Sequence, residues 1–110
     1  MSKTILHVRT TVRSSPAAIL AGAADVARAI ADVPGLIWKV WLIDEEAAEF
    51  GGVYLFASRA AAQAYVDGPV LRQLGQDPRV AHLEHRLWDA HALSALTRAP
   101  EAASAAKEVA

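Results

Sequence analysis

The sequence predicts an α+β fold in which a four-stranded antiparallel sheet carries helices on one face. Three observations predict it. Residues 4–13 are rich in β-branched side chains, and residues 36–43 are apolar throughout except for Lys39, as expected of strands. Apolar residues recur at spacings of three and four between Ile19 and Val33, the repeat of an amphipathic helix. Ser, Pro and Gly punctuate the chain at Ser15-Pro16, Pro34-Gly35, Gly51-Gly52 and Gly68-Pro69, which sets element boundaries.

Residues 4–13 form the first strand and end at Ser14, Ser15 and Pro16. Ser15 caps the following helix, and Pro16 suits its first position, where a missing N–H costs nothing. Ile19, Ala23, Val26, Ile30 and Val33 lay one apolar stripe along a single helix that stops at Pro34-Gly35. Residues 36–43 read as a strand covered on both faces. Asp44, Glu45, Glu46 and Glu49 make a solvated connection, Gly51-Gly52 open the next strand, and Val53 to Ser58 continue it. Two adjacent antiparallel strands are the simplest reading. Ser58 caps a second helix over 59–66, which Asp67-Gly68-Pro69 interrupts before a short turn around Leu71 and Leu74. Residues 79–88 alternate as the fourth strand, and Leu93 to Leu96 form a last turn. The domain is expected to span 1–97, with 98–110 an Ala-rich tail that has no anchoring apolar pattern and is expected to be disordered. Strand, helix, strand, strand, helix, strand is the split βαβ order of the ferredoxin-like fold.

Strand parity suggests how the faces divide. Leu6 with Val8, Val53 with Leu55, and Ala81 with Leu83 and Leu87 are aliphatic sets that suit the helix-covered side. The opposite parity carries His7, Arg9, Tyr54, Phe56, His82, Glu84, Arg86 and Trp88. In the second strand, Leu36, Trp38, Val40 and Leu42 complete the apolar side, and Lys39 with Trp41 join the polar and aromatic face; a one-residue bulge would reverse this. A second subunit placed face to face would enclose that surface as a cavity.

Composition narrows the functional classes. One domain of 110 residues buries roughly two thirds of the surface its unfolded chain exposes. The net charge of −1 supplies no basic field for a nucleic acid backbone. Without Cys, disulfides, thiolate catalysis and Cys-ligated zinc are excluded. The amino terminus lacks the apolar core of a signal peptide and no run spans a membrane, so a cytoplasmic protein is expected. GxGxxG, P-loop, nucleophile-elbow and HExxH motifs do not occur.

The stretch Pro34-Gly-Leu-Ile-Trp38-Lys39-Val-Trp41, then Gly51-Gly-Val-Tyr54-Leu-Phe56, then Ala64-Tyr65, then Leu87-Trp88-Asp89 with Leu93-Ser94, resembles the YdhR family of monooxygenases. The resemblance covers roughly residues 34–97, with a weaker match before them. It implies a homodimeric α+β barrel of two ferredoxin-like subunits, related to small oxygenases that oxidise aromatic substrates with molecular oxygen and no metal or flavin. Gly68-Pro69 and a shorter segment after it depart from the family pattern, as does the Ala-rich tail.

A cofactor-free oxygenase needs a base, a group that holds the substrate anion, and a dry aromatic pocket. Lys39, Tyr54 and His82 are the candidate catalytic residues, and His7, Trp38, Trp41, Phe56 and Arg86 the candidate substrate contacts. Each has a structural alternative: Lys39 at a barrel rim, the aromatic residues in a core, the histidines in an interface network. His82 and His85 lie three apart on a strand, on opposite faces, so they do not chelate one ion together and no metal is expected. The rival readings are a small-molecule binding protein without chemistry and an isomerase or dehydratase on the same scaffold.

Overall fold

The computed structural model describes residues 2–102; the rest of the expected tail, 103–110, lies outside the described residues. The chain runs β1 (Thr4–Val12), α1 (Pro16–Ala21), α2 (Ala24–Ala31), β2 (Leu36–Asp44), β3 (Glu49–Phe56), α3 (Arg59–Val66), α4 (Pro69–Gln76) and β4 (Val80–Asp89), then a 3₁₀ turn at Ala92–Ala95. The sheet order is β2-β3-β1-β4, and every neighbouring pair is antiparallel. This is the ferredoxin-like arrangement. Among the described residues no helix is long and apolar enough to cross a membrane.

The caps fall where the side chains predict. Ser15 Oγ accepts from the Ala18 N–H and Ser58 Oγ from the Ala61 N–H, both at 3.1 Å, satisfying amides that a helix start leaves free. Glu45, from the β2–β3 turn, adds a second tie to α1 by accepting from Ser15 Oγ at 2.5 Å and from the Ala17 N–H at 3.0 Å. Pro34-Gly35 ends the first helical layer with Gly35 at φ 82°; a Cβ there would stand 2.5 Å from Ala61 Cβ, so this close approach requires glycine.

Three element boundaries differ from expectation. The single first helix is two, α1 and α2, because Gly22 and Ala23 donate back to Ile19 and Leu20 and close the first one early. The turn around Leu71 is a full helix, α4, entered by Pro69 at its first position with Leu71 buried against the sheet. β3 starts at Glu49, not after the glycines, so Gly51-Gly52 are interior to the strand.

The larger correction concerns faces. Leu6 stands opposite Tyr54 and Leu87, Val8 opposite Gly52 and His85, Thr4 opposite Phe56, and Lys39 opposite Tyr54. Tyr54, Phe56, Lys39 and Trp41 therefore share the helix-covered face with Leu6 and Val8, whereas Trp38, Val40, Leu42, Val53 and Leu55 lie on the outer face with His7 and Arg9. The register shift between Leu36 and Trp38 sets Leu36 with Phe56 on the helix-covered face and Trp38 with Leu55 on the outer one, whereas the reversal itself takes β2 and β3 together. The core packs the rings of Phe56 and Tyr54 from β3 against Ile30, Ala62, Tyr65 and Leu71 from the helices, and the three rings contact at centroid distances of 5.0 to 6.0 Å.

The outer face carries an ion-pair chain and an apolar field. Arg9 Nε meets Glu49 at 2.6 Å, and Glu84 approaches both Arg9 and His82 at 3.4 Å. Val40 is 51% exposed and Trp88 46%, the latter beneath the Arg86 guanidinium at 3.7 Å. One edge of this face is covered by the chain's own carboxyl-terminal stretch: Trp38 Nε1 donates to the Pro100 carbonyl at 3.0 Å and Lys3 Nζ to that of Glu101 at 2.5 Å. Ala102 is buried, as is Leu55, the register partner of Trp38.

Candidate functional site

A cavity of about 370 Å³ lies between the sheet and the helical layer. Its sheet wall is Lys39 and Trp41 from β2, Phe50 and Tyr54 from β3, and Thr10 from β1. Ile19, Val26 and Ile30 close it from α1 and α2, Tyr65 from α3, and Leu71 and Leu74 from α4. Asp77 and Arg79 stand at the end nearest Thr10, paired through Arg79 Nη2 to Asp77 at 2.7 Å. Thr10 pairs with Phe50, four strand positions from Tyr54, so the cavity runs some ~13 Å along the sheet at a strand rise of about 3.4 Å per residue.

Of the two cations that line the cavity among the described residues, Arg79 is paired to Asp77 and Lys39 is not paired. Its Nζ lies 3.2 Å from the Trp41 ring centroid and 4.5 Å from that of Tyr54. Among the described residues no carboxylate pairs with it. Burial without a counter-charge disfavours the ammonium form, and Lys39 is pulled down from 10.5 to about 7. The adjacent rings oppose this by attracting the cation, but desolvation outweighs them.

The room for this side chain comes from Gly52. A Cβ there would fall 2.5 Å from Lys39 Cε and 3.1 Å from Tyr54 Cε1. The bare backbone thus lets the Lys39 stem lie across β3, between the two rings. Gly51 serves the sheet instead, because a Cβ there would collide with the Val8 carbonyl of the neighbouring strand.

Tyr54 and Tyr65 form a hydroxyl pair at 2.9 Å. Whichever donates, one of the two O–H protons is used inside the pair and the other is left for a ligand. Burial, and then the neighbouring Tyr65, push the Tyr54 hydroxyl up; burial pushes Tyr65 up as well. Both stay protonated at ordinary pH and serve as donors. An amine with a substantial neutral fraction at pH 7, beside a protonated hydroxyl and between aromatic faces, can take a proton from a bound acid and hydrogen-bond the anion that results.

The structure brings Lys39, Tyr54 and Trp41 together in one cavity but not the other candidates. Phe56 shares their face yet is fully buried behind Tyr54, stacked at 6.0 Å. His7, Trp38, His82 and Arg86 lie on the outer face, across the sheet. His82 and His85 do face opposite ways: His85 pairs with Val8 on the helix side and lines a separate groove beside Asp67 and Arg72. Among the described residues no cluster of metal-ligating side chains occurs. Sequence reasoning did not single out Tyr65, Thr10 or Gly52 as site residues. Tyr65 was the one with a signal, since it is the only large side chain on the inward stripe of an otherwise Ala-built helix.

The fold recurs in solved structures. SnoaB from Streptomyces nogalater, a cofactor-independent oxygenase, superposes with a TM-score of 0.65 at 19% identity, covering 83% of this chain and 95% of its own. A structure from Deinococcus radiodurans described as a "putative antibiotic biosynthesis monooxygenase" gives 0.65 at 17%, over 80% and 92%. The ActVA-Orf6 monooxygenase of Streptomyces coelicolor, solved with the ligand nanaomycin D, gives 0.62 at 14%, over 82% and 88%. At these identities the likeness is one of fold. No curated protein matches the chain in sequence. The family model described as "Putative mono-oxygenase ydhR" matches residues 5–100, nearly the whole described chain, and the protein belongs to that family.

Proposed function

We propose that this protein is a cofactor-independent monooxygenase that oxidises a small hydrophobic aromatic or polyketide-like compound. The observation that carries the reading is the uncompensated Lys39 amine, enclosed with Trp41 and the Tyr54–Tyr65 hydroxyl pair in an apolar cavity. The neutral amine removes the proton of a phenol lying along Trp41. The free hydroxyl proton of the tyrosine pair then holds the phenolate oxygen. An electron-rich phenolate adds molecular oxygen at a ring carbon bearing hydrogen; the hydroperoxide so formed loses water and leaves a quinone carbonyl. One oxygen atom enters the product and the other leaves as water. Family membership supports the class of reaction.

The proposed assembly is a homodimer through the outer face, where Val40, Leu42 and Trp88 are exposed beside the Arg9–Glu49–Glu84 chain. That contact leaves the cavity whole within each subunit. It would place His7, His82 and Arg86 at the interface rather than against substrate, and their candidate roles shift accordingly.

Oxygen uptake with a panel of naphthols and anthrones, without added metal or flavin, tests the reaction. Stoichiometric uptake and incorporation of one ¹⁸O atom are expected. Equal turnover under nitrogen would replace the oxygenase by an isomerase or dehydratase, and tight binding without turnover would leave a carrier.

A further inference from the structure

Four features of the surroundings of Lys39 are those of a nucleophilic amine. Its Nζ is not tied up by a carboxylate among the described residues. It opens on a cavity of about 370 Å³, within the usual size of small-molecule sites. It is flanked by the flat faces of Trp41 and Tyr54, against which a planar ring can lie. Gly52 leaves the Cε side of the chain unobstructed.

We propose that Lys39 condenses with aromatic aldehydes and ketones that enter the cavity, forming a reversible imine. The amine lone pair attacks the carbonyl carbon to give a carbinolamine. The free O–H of the Tyr54–Tyr65 pair donates to the oxygen as it becomes a leaving group, and that oxygen departs as water with the two protons that the nitrogen gives up in all. The product is a C=N bond with no net change in oxidation state, so no co-reactant is required. A desolvated lysine in an apolar site is a recognised route to such nucleophiles, and the lowering of Lys39 to about 7 supplies the free amine at neutral pH. The titratable groups around the cavity are Tyr54 from β3, Tyr65 from α3, and Asp77 with Arg79 before β4. Both tyrosines are shifted upward, and Asp77 is paired to Arg79, so none of them supplies a negative charge to hold the ammonium form.

The full chain, incubated at pH 7 with 2-hydroxy-1-naphthaldehyde and sodium cyanoborohydride, tests this. Hydride adds to the imine carbon and fixes a stable secondary amine whose mass identifies the site. Lys3 and Lys107 are internal controls. A modified Lys39 blocks tryptic cleavage and yields a peptide spanning residues 29–59 that carries the adduct. The expected result is labelling of Lys39 at least about tenfold faster than Lys3, given that an ordinary lysine is almost wholly protonated at pH 7. The rate should rise between pH 6 and 8, and the adduct should be absent from Lys39→Met and Lys39→Arg, each checked for folding by circular dichroism. Equal labelling of all three lysines, or label confined to the α-amino group, overturns the proposal. The trapping runs equally under nitrogen, so its failure and the failure of the oxygenase reading are separate results.

Discussion

Replacing Lys39 by Met keeps most of the stem packed between Trp41 and Tyr54 and removes the buried charge. The unfolded chain holds this lysine at its ordinary 10.5, and the fold lowers it to about 7. Between those values the unfolded state binds more protons than the folded one, so the wild type gains stability as pH rises through that window. Below pH 7 the folded protein carries the full cost of an ammonium in an apolar cavity. The interval corresponds to about 5 kcal/mol at ~1.4 kcal/mol per pH unit. Solvent reaches part of the side chain, so roughly half of this, about 2–3 kcal/mol, is expected in solution. Lys39→Met should therefore be more stable than wild type by about 2–3 kcal/mol at pH 6, and by less than half of that at pH 9. Urea denaturation followed by tryptophan fluorescence at both pH values measures it. Subtracting wild type from variant removes the contributions of Tyr54 and Tyr65. A variant that is less stable at pH 6, or whose gain is the same at pH 6 and pH 9, would refute the reasoning that this amine is buried without compensation.

The two adjacent glycines should separate cleanly. Gly51→Ala drives a Cβ into the Val8 carbonyl and should cost at least about 3 kcal/mol or prevent folding; Gly52→Ala meets the flexible Lys39 stem and should cost about 1 kcal/mol while displacing the amine, so that aldehyde labelling falls about tenfold. Urea midpoints and labelling rates read both. Thr10 Oγ1 is buried without a partner among the described residues, so Thr10→Val should leave stability unchanged or raise it by about 1 kcal/mol, where a loss of that size would reveal a hidden hydrogen bond. Ala48 sits at φ 57° in the β2–β3 turn, and Ala48→Gly should add about 0.5–1 kcal/mol by relieving left-handed strain, as thermal denaturation will show. Val40→Asp, on the outer face, should reduce any dimer to monomer in light scattering and leave the unfolding free energy of the monomer within about 0.5 kcal/mol.

The order of elements was legible because local chemistry sets it. Ser15-Pro16 and Ser58 start helices, Pro34-Gly35 ends one, and each signal acts within a few residues of itself. The misjudged stretch around Leu71 shows the limit of that reasoning. Gly68-Pro69 reads as a break, yet a proline at a helix start is no obstacle, and α4 is held by Leu71 and Leu74 packing on the sheet. Propensity stops there and tertiary burial continues.

The hairpin shows what kind of information was missing at the site. Its internal pairing was read correctly: Lys39 goes with Tyr54, and Trp38 with Leu55. The unit as a whole was attached to the wrong faces of β1, because both parities of β2 are apolar enough to be buried and the aliphatic pair Val53 with Leu55 read as the helix-covered side. Hydropathy treats those two parities as nearly equal, whereas volume does not. The gap between the sheet and the helical layer is filled by Tyr54 and Phe56 against Ile30, Tyr65 and Leu71, and close packing is the stronger constraint. The cavity is the part of that gap which Tyr54, Phe56 and Tyr65 do not fill, and Lys39 reaches it because Gly52 has no side chain.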